Sequence, residues 1–272
     1  MPTKDDALKL VDDFAALTPC PSVWPKLDQA TIADGLKERI KDWNKIDQAN
    51  TSLCGPAEFA RDIAEDKPFD YAKAVIDLYQ TGQALIGTLS IKPRADLKTA
   101  PMVGRVHQTD WILLASIRDS DNWWFHLQAP NDNATSMTLP HSKENWLKRA
   151  GYTDVINETN LVACKDLPNA IKANNLFKAG YKVALFIHGN MLEAKTMNDL
   201  SPWPDHWVAL TSAMEIKSIN MTRPGTLVND QSSSVKFEIY TWGDGRRKVP
   251  ESGTLTEYNF LNNYYGFIAC RR

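Results

Sequence analysis

One cysteine in this sequence stands where a thiol could act as a nucleophile. Cys54 lies in a turn-like stretch, residues 48–57, that opens a predicted helix, and Pro56 suits the first helical turn because its missing N–H needs no partner there. The unpaired N–H groups and partial positive charge of a helix N-terminus favour the thiolate, which is the reactive form of cysteine. Gly55 would let a substrate approach the backbone. The alternative interpretation is a small buried apolar residue, which free cysteines often are.

Gln48 precedes this cysteine by a few residues, and His206 opens a predicted strand late in the chain. The runs Leu53-Cys54-Gly55-Pro56-Ala57 and Asp205-His206-Trp207-Val208-Ala209-Leu210 resemble, in residue type and order, two motifs of the papain-like cysteine peptidase superfamily. In that family the nucleophile begins a long helix, a Gln upstream supplies an oxyanion-hole donor, and the His begins a strand of the following sheet. The resemblance covers about residues 46–245, and its specific part is these two motifs.

The resemblance implies a role for each of these residues. Cys54 would attack an amide carbonyl, and His206 would take the thiol proton and later return it to the leaving group. Gln48 and the backbone N–H of Cys54 would stabilise the oxyanion, which is usually the larger catalytic contribution. Gln48 could equally be a surface residue in a turn, and Asn50 is a rival donor.

His188 is the competing base. It ends a predicted strand just before a Gly-Asn pair, so we favour a histidine bonded to backbone at a strand end. The other three histidines, His107, His126 and His141, stand in loop-like or polar settings and are interpreted as ordinary residues.

The residue that would orient the histidine departs from the family pattern. The family places Asn or Asp at the end of the strand after the His strand, and here Tyr240 stands at that position. Asp244 is the nearest carboxylate and is predicted to orient His206, although it is equally typical of a turn. If Asp244 does not serve, Thr241, a backbone carbonyl or water must hold the imidazole. Even without the family's Asn or Asp at position 240, Cys54 and His206 could act as a two-residue catalytic dyad.

The activity implied by the resemblance is hydrolysis of amide bonds by a cysteine peptidase or amidase. The expected substrate is a peptide, a peptidoglycan stem peptide or a protein side-chain amide. Similar pairs of motifs occur in bacterial secreted, type VI-like effector toxin domains, which implies delivery to a target cell and a cognate immunity protein. The alternatives are a non-catalytic papain-like binding module and a deamidase or transferase that uses the same dyad. No cofactor and no metal are expected.

The elements that must position these residues change type along the chain. Apolar residues recur at helical spacing in the first part and alternate at strand spacing in the last third. Helices followed by strands predict an α+β fold, here papain-like, with the nucleophile at a helix start packed on a C-terminal antiparallel sheet. We expect a single domain over 1–272, with an N-terminal helical extension at 1–45 and a catalytic core with insertions at 46–272. Helices are predicted at 4–17, 31–44, 71–80, 110–118, 142–150 and 166–179, and strands at 85–91, 181–187, 206–211, 235–242 and 263–269. A further helix is predicted to open from the turn-like stretch 48–57 and to be interrupted at Pro68.

Composition sets the outer bounds on function. The 272 residues carry 31 Lys and Arg against 33 Asp and Glu, and this balance argues against a protein built to bind nucleic acid. The four cysteines form no CxxC pair, so neither a disulfide scaffold nor a zinc site is indicated. No signal peptide and no membrane span are predicted, so we expect synthesis in the cytoplasm. Nine tryptophans indicate a large core or a groove, and for Trp203, Trp207 and Trp242 we favour core or rim packing.

Overall fold

The structure is a computed structural model that describes residues 2–121, 137–193, 203–217, 233–241 and 245–272. These residues form two compact units. The first covers the described residues up to 152 together with Gly245 and Arg272, and the second covers those from 153 to 241 and from 246 to 271. The single domain expected over 1–272 stays a prediction beside this division.

Helices dominate the first unit and strands the second. The helices are α1 (Lys4–Ala16), α2 (Gln29–Lys41), α3 (Cys54–Asp66), α4 (Pro68–Thr81), α5 (Ala95–Thr99), α6 (Gln108–Asp121), α7 (Pro140–Arg149), α8 (Leu167–Lys178) and α9 (Glu257–Asn262), with short 3-10 helices at Trp43–Lys45 and Gly189–Glu193. The strands are β1 (Ala84–Ile86), β2 (Leu89–Ile91), β3 (Thr153–Asn157), β4 (Lys182–Ile187), β5 (His206–Leu210), β6 (Glu215–Lys217), β7 (Ser234–Tyr240), β8 (Arg246–Val249) and β9 (Tyr264–Arg271). The predicted α+β class is therefore confirmed.

Local sequence explains where the helices of the first unit begin and end. Thr3 and Asp6 form a capping box at the start of α1, and the side chain of Asp28 caps α2. Pro68 occupies the first turn of α4, and Gly82 ends that helix in the left-handed conformation, at φ +75°. These signals set the register in which the helices present their apolar faces to the core.

The helix α3 lies at the centre of the first unit. Every residue from Cys54 to Ala64 is buried, and the helix packs against α2, α4, α6 and α7. Charged side chains on such a helix need buried partners. Glu58 pairs with Lys143 of α7, and Arg61 pairs with Asp62 at 3.0 Å. The helix that begins at Cys54 is thus fixed on all sides by packing and by ion pairs.

The second unit is built on one antiparallel sheet of seven described strands. Their order is β3-β9-β4-β5-β7-β6, and the seventh strand, β8, also pairs with β7. The strand β4 lies between β9 and β5, and its register places Ile187 opposite His206. Trp207 is 1% exposed and stacks on Phe186 of β4, with ring centroids 4.4 Å apart. A buried centre of the sheet therefore holds the strand that begins at His206.

Some elements differ from the sequence-based prediction. The strand predicted at 85–91 is a hairpin, because Gly87 turns the chain at φ +59° between β1 and β2. The strands β3, β6 and β8 were not predicted, since each is short and partly exposed and lacks a clear alternation. The helix starting at Cys54 and the strand starting at His206 agree with the prediction.

Candidate functional site

Cys54 is the first residue of α3 and is 5% exposed. Leu53 occupies the cap position and makes no side-chain capping hydrogen bond. The first turn also contains no acidic residue. Its N–H groups and the positive end of the helix dipole therefore act on Cys54 without a side-chain cap to offset them.

Gly55 is required by a close contact with Thr138. A Cβ added to Gly55 would lie 2.4 Å from Thr138 Oγ1 and 2.5 Å from Thr138 Cβ, so a larger residue would force one of the two segments to shift. The sequence suggested instead that this glycine opens the backbone to a substrate. In the structure, the missing side chain of Gly55 lets the residues that precede α7 pack against the start of α3.

A buried arginine lies beside this helix start. Arg118, in the last turn of α6, is 4% exposed and donates from Nη1 to Thr138 Oγ1 at 3.3 Å. Burial lowers the pKa of Arg118, and the neighbouring Cys54 and Asp121 oppose that shift by charge interaction. Since such an interaction acts equally on both partners, Arg118 favours negative charge on Cys54.

Gln48 lies in the loop before α3 and is 4% exposed. Its Oε1 is buried, and among the described residues it has no hydrogen-bond partner. The loop around it is held on both sides: Asp47 Oδ1 accepts from Ala49 N at 2.6 Å, and Thr51 Oγ1 donates to Gln48 O at 2.6 Å. The surface interpretation of Gln48 is therefore wrong, whereas its rival Asn50 is exposed.

The loop is anchored to the rest of the first unit by a buried ion pair. Arg39 binds both carboxylate oxygens of Asp110, from Nε at 2.7 Å and from Nη2 at 2.6 Å. Asp110 Oδ2 also accepts from the backbone N of Asp47 at 3.1 Å. Charge-assisted bonds of this kind fix geometry well, and they fix the residue next to Gln48.

His206 begins β5 and is 6% exposed. Its Nε2 lies 2.6 Å from Thr241 Oγ1, and Thr241 is itself buried. Burial, together with the charge of Arg247, lowers the pKa of His206 to about 4. The imidazole is therefore neutral at pH 7, and Thr241 is a side chain that holds it.

His188 is bonded to backbone at a strand end, as the sequence predicted. Its Nδ1 accepts from Asn190 N at 3.1 Å, and its own N–H donates to Asn263 O at 2.9 Å. Asp205, the residue before His206, accepts from Gly189 N at 2.7 Å. The interactions at this end of β4 thus brace the turn rather than prepare a second base.

The predicted site residues fall into the two units. Cys54 and Gln48 belong to the first unit, and His206 belongs to the second. Asp244, together with Trp242 and His126, lies outside the described residues. The assignment of Asp244 as the orienting residue, and the pairing of Cys54 with His206, stay predictions.

No protein-family model, curated protein or solved structure matches this chain. The papain-like resemblance therefore depends on the sequence motifs alone. Within the described ranges, no group of three or more His, Cys, Asp or Glu could hold a metal ion. No helix in the described part of the chain is both long and apolar enough to cross a membrane.

Sequence reasoning missed Arg118, Thr138 and Arg247. Arg118 follows an apolar helical stripe and gives no local signal, because a buried cation is recognisable only from its partners. Thr138 precedes a predicted helix and looks like an ordinary loop residue. Thr241 was one of several candidates to hold His206, and only the strand geometry selects it.

Proposed function

We propose that this chain is a papain-like cysteine hydrolase that cleaves amide bonds through an acyl-enzyme on Cys54. The observation that carries the proposal is the start of α3. There the cysteine lies in an uncapped first turn, with a buried guanidinium as its charged neighbour. Of the four cysteines, Cys54 has the surroundings that favour a thiolate. The finer papain-like assignment of the fold is part of the same proposal.

In the proposed reaction, neutral His206 accepts the thiol proton and the sulfur attacks the amide carbonyl carbon. The oxyanion that forms accepts hydrogen bonds from Gln48 Nε2 and from the backbone N–H of Cys54. The imidazolium then gives its proton to the leaving amine as the C–N bond breaks. A water molecule, deprotonated by His206, attacks the thioester and releases the carboxylic acid and the thiol.

Two observations support these roles. Thr241 engages Nε2 of His206 at 2.6 Å, and this bond helps to hold the imidazole in place for proton transfer. Gln48 is buried in a loop that Asp47 and Thr51 brace, and its amide oxygen lacks a hydrogen-bond partner among the described residues, so no bond through that oxygen accounts for its position. Both are typical of a prearranged catalytic group.

The substrate class follows from the resemblance alone. We propose a peptide, a peptidoglycan stem peptide or a protein side-chain amide, and a biological role as a bacterial effector toxin with a cognate immunity protein. A deamidase or transferase would use the same two residues and differ only in which nucleophile resolves the acyl-enzyme.

A non-catalytic binding module is the second candidate. It is favoured by the burial of Cys54, which is 5% exposed, and by the Tyr at position 240 where the family has Asn. In that case the fold would present a ligand surface without turnover.

Hydrolysis assays separate the two candidates. The purified chain is incubated with fluorogenic peptides and with peptidoglycan sacculi, and newly formed amino groups and released muropeptides are measured. We expect release with the wild type, none with Cys54→Ala or His206→Ala, and full release with the matched control Cys164→Ala. Release that survives Cys54→Ala would contradict the assignment of Cys54 as the nucleophile, and no release on any substrate would favour the binding module.

Expression in two compartments of a bacterium narrows the substrate. If the target is peptidoglycan, the chain is harmless in the cytoplasm and causes lysis when fused to a periplasmic export signal. If the target is a cytoplasmic protein, the order of toxicity reverses. Cys54→Ala should abolish toxicity in either case, and toxicity that persists in this variant would contradict the proposal.

A further inference from the structure

Two contacts link a buried cation to the start of α3. Arg118 donates from Nη1 to Thr138 Oγ1 at 3.3 Å, and Thr138 lies directly against Gly55, the neighbour of Cys54. Arg118 is 4% exposed and Thr138 is 1% exposed, so water does not screen this region. The charge interaction between Arg118 and Cys54 is consistent with this path of contacts.

We infer that Arg118 supplies the positive charge that stabilises the thiolate of Cys54. The inference rests on the proposed function, because it explains how the proposed nucleophile is activated. Arg118 acts through its field on Sγ, so it is a positioning residue rather than a catalytic one.

The environment of His206 explains why such a charge is needed. With a pKa of about 4, this imidazole is neutral at pH 7 but only weakly basic. A base of that strength does not draw the proton from an ordinary thiol, whose pKa is about 8.5. An opposite charge within about 4–6 Å favours the ionised form of a group by roughly one to three powers of ten. Arg118 therefore offsets much of the weakness of the base.

The other charged groups around the start of α3 are engaged with each other. Glu58, one helical turn after Cys54, pairs with Lys143. Further along the helix, Arg61 pairs with Asp62 and with Glu65. Asp121 acts on Arg118 itself and accepts from Trp146 Nε1 at 3.2 Å. Arg118, in contrast, has a charge interaction with Cys54 itself.

The chemical step is the loss of the thiol proton. In hydrolysis this proton moves from Sγ to His206, and the sulfur lone pair then attacks the carbonyl carbon. With iodoacetamide the S–C bond forms, the C–I bond breaks, iodide leaves and the proton passes to the buffer. Alkylation of the full chain therefore measures thiolate formation without requiring a substrate.

Three variants separate the charge of Arg118 from its structural contact. Arg118→Gln keeps a donor for Thr138 and removes the charge, whereas Arg118→Lys keeps the charge. Thr138→Val keeps the volume, removes the hydroxyl and leaves the guanidinium in place. The rate of alkylation of Cys54 at pH 6.5 is measured by peptide mapping. The thiolate absorbance at 240 nm is measured with Cys54→Ser as the blank.

We expect Arg118→Gln to slow alkylation at least about tenfold and to lower the 240 nm absorbance in proportion. Arg118→Lys and Thr138→Val should each remain within about threefold of the wild type. Equal rates in Arg118→Gln and the wild type, or an equal loss in Thr138→Val, would overturn the inference. If Arg118→Gln does not fold, Arg118→Lys is the deciding variant. Because this variant retains the positive charge, a tenfold loss of the alkylation rate of Cys54 in it would contradict the inference.

The outcomes also separate this inference from the proposed function. If wild-type Cys54 is not alkylated in preference to the other cysteines, the nucleophile assignment itself fails. Cys54 could instead be selectively reactive and required for hydrolysis, while Arg118→Gln changes neither the alkylation rate nor the hydrolysis rate. In that case only the role of Arg118 fails.

Discussion

At the scale of single residues, Gln48 combines burial with an unmet hydrogen bond. A buried polar atom without a partner costs about 1–3 kcal/mol, and among the described residues Oε1 of Gln48 has none. The backbone on either side is nonetheless fixed by Asp47 and by Thr51. A residue that lowers stability while its loop is held firmly is expected at a functional site.

Replacing Gln48 should therefore separate stability from activity. In Gln48→Leu the unpaired oxygen is removed and the volume is kept, so the free energy of unfolding should stay the same or rise by about 1 kcal/mol. The rate of hydrolysis should fall about 10²–10³-fold, the usual loss for one oxyanion donor. Urea unfolding and steady-state kinetics measure the two effects. Asn50→Ala is the control for the rival donor, and an inactive Asn50→Ala beside an active Gln48→Leu would reverse the assignment.

The hydroxyl of Thr241 is expected to orient His206. Thr241→Val keeps the shape of the buried side chain and removes the bond to Nε2, so kcat should fall about 10–100-fold with little change in KM. Thr241→Ser should restore most of the loss, since it restores the hydroxyl. If Thr241→Val is as active as the wild type, another group holds the imidazole, and Asp244 then becomes the first residue to replace.

At the scale of elements, the start of α3 depends on a glycine inside a helix. Gly→Ala in a helix normally stabilises a protein by up to about 1 kcal/mol. Here the added Cβ would meet Thr138 at 2.4–2.5 Å. The side chain of Thr138 is too short to move aside without its backbone.

We therefore predict the opposite sign for Gly55→Ala. The variant should lose about 1–3 kcal/mol of unfolding free energy, as overpacked sites do. Gly189→Ala is a matched control, because its Cβ would meet Asp205 Oδ1 at an ordinary 3.5 Å. Chemical denaturation of both variants tests this, and a stabilised Gly55→Ala would show that the contact is not tight.

The helices and central strands could be predicted because periodicity reports which face is buried. The stripes of α2 and α4, the start of α3 at Cys54 and the buried runs of β4 and β5 all appear in the sequence. The hairpin β1–β2 was merged into one strand because its alternation is too brief to show a turn.

The partners of the site residues could not be predicted. Arg118 meets Thr138 and Arg39 meets Asp110 across long stretches of chain. Periodicity indicates that such residues are buried but not what they face. The lowered pKa of His206 likewise depends on its burial and then on Arg247, and only the fold produces both.

At the scale of the whole molecule, the state of His206 links folding to pH. Its pKa is about 4 in the folded chain and about 6.5 when unfolded. Between these values the unfolded chain binds a proton that the folded chain does not, so lowering the pH favours unfolding. The contribution of His206 to stability is complete above pH 6.5 and is lost as the pH falls towards 4.

Unfolding at two pH values measures this contribution. From pH 7 to pH 4.5 the wild type should lose about 2–3 kcal/mol more unfolding free energy than His206→Gln does. His141→Gln, at an exposed histidine, is the control and should behave as the wild type. Equal pH dependence in His206→Gln and the wild type would mean that His206 is not held neutral by the fold.

The proposed activity requires residues from both units of the chain. Cys54 and Gln48 come from the helical unit, whereas His206 and Thr241 come from the sheet. The central claim is that Cys54 is a nucleophile activated by His206. Accessibility alone predicts the opposite order of reactivity, because Cys164 is exposed and Cys54 is buried.

Competitive alkylation tests this claim most directly. The full chain is treated with limiting iodoacetamide at pH 6.5, and the four cysteines are compared in one peptide map, with Cys164 as the internal standard. Partial burial raises the pKa of Cys164, which slows its reaction. We predict that Cys54 reacts at least about tenfold faster than Cys20, Cys164 and Cys270, and that His206→Gln, which leaves the charge of Arg118 in place, abolishes hydrolysis. Preferential labelling of Cys164 or Cys20, or hydrolysis that survives His206→Gln, would contradict the account.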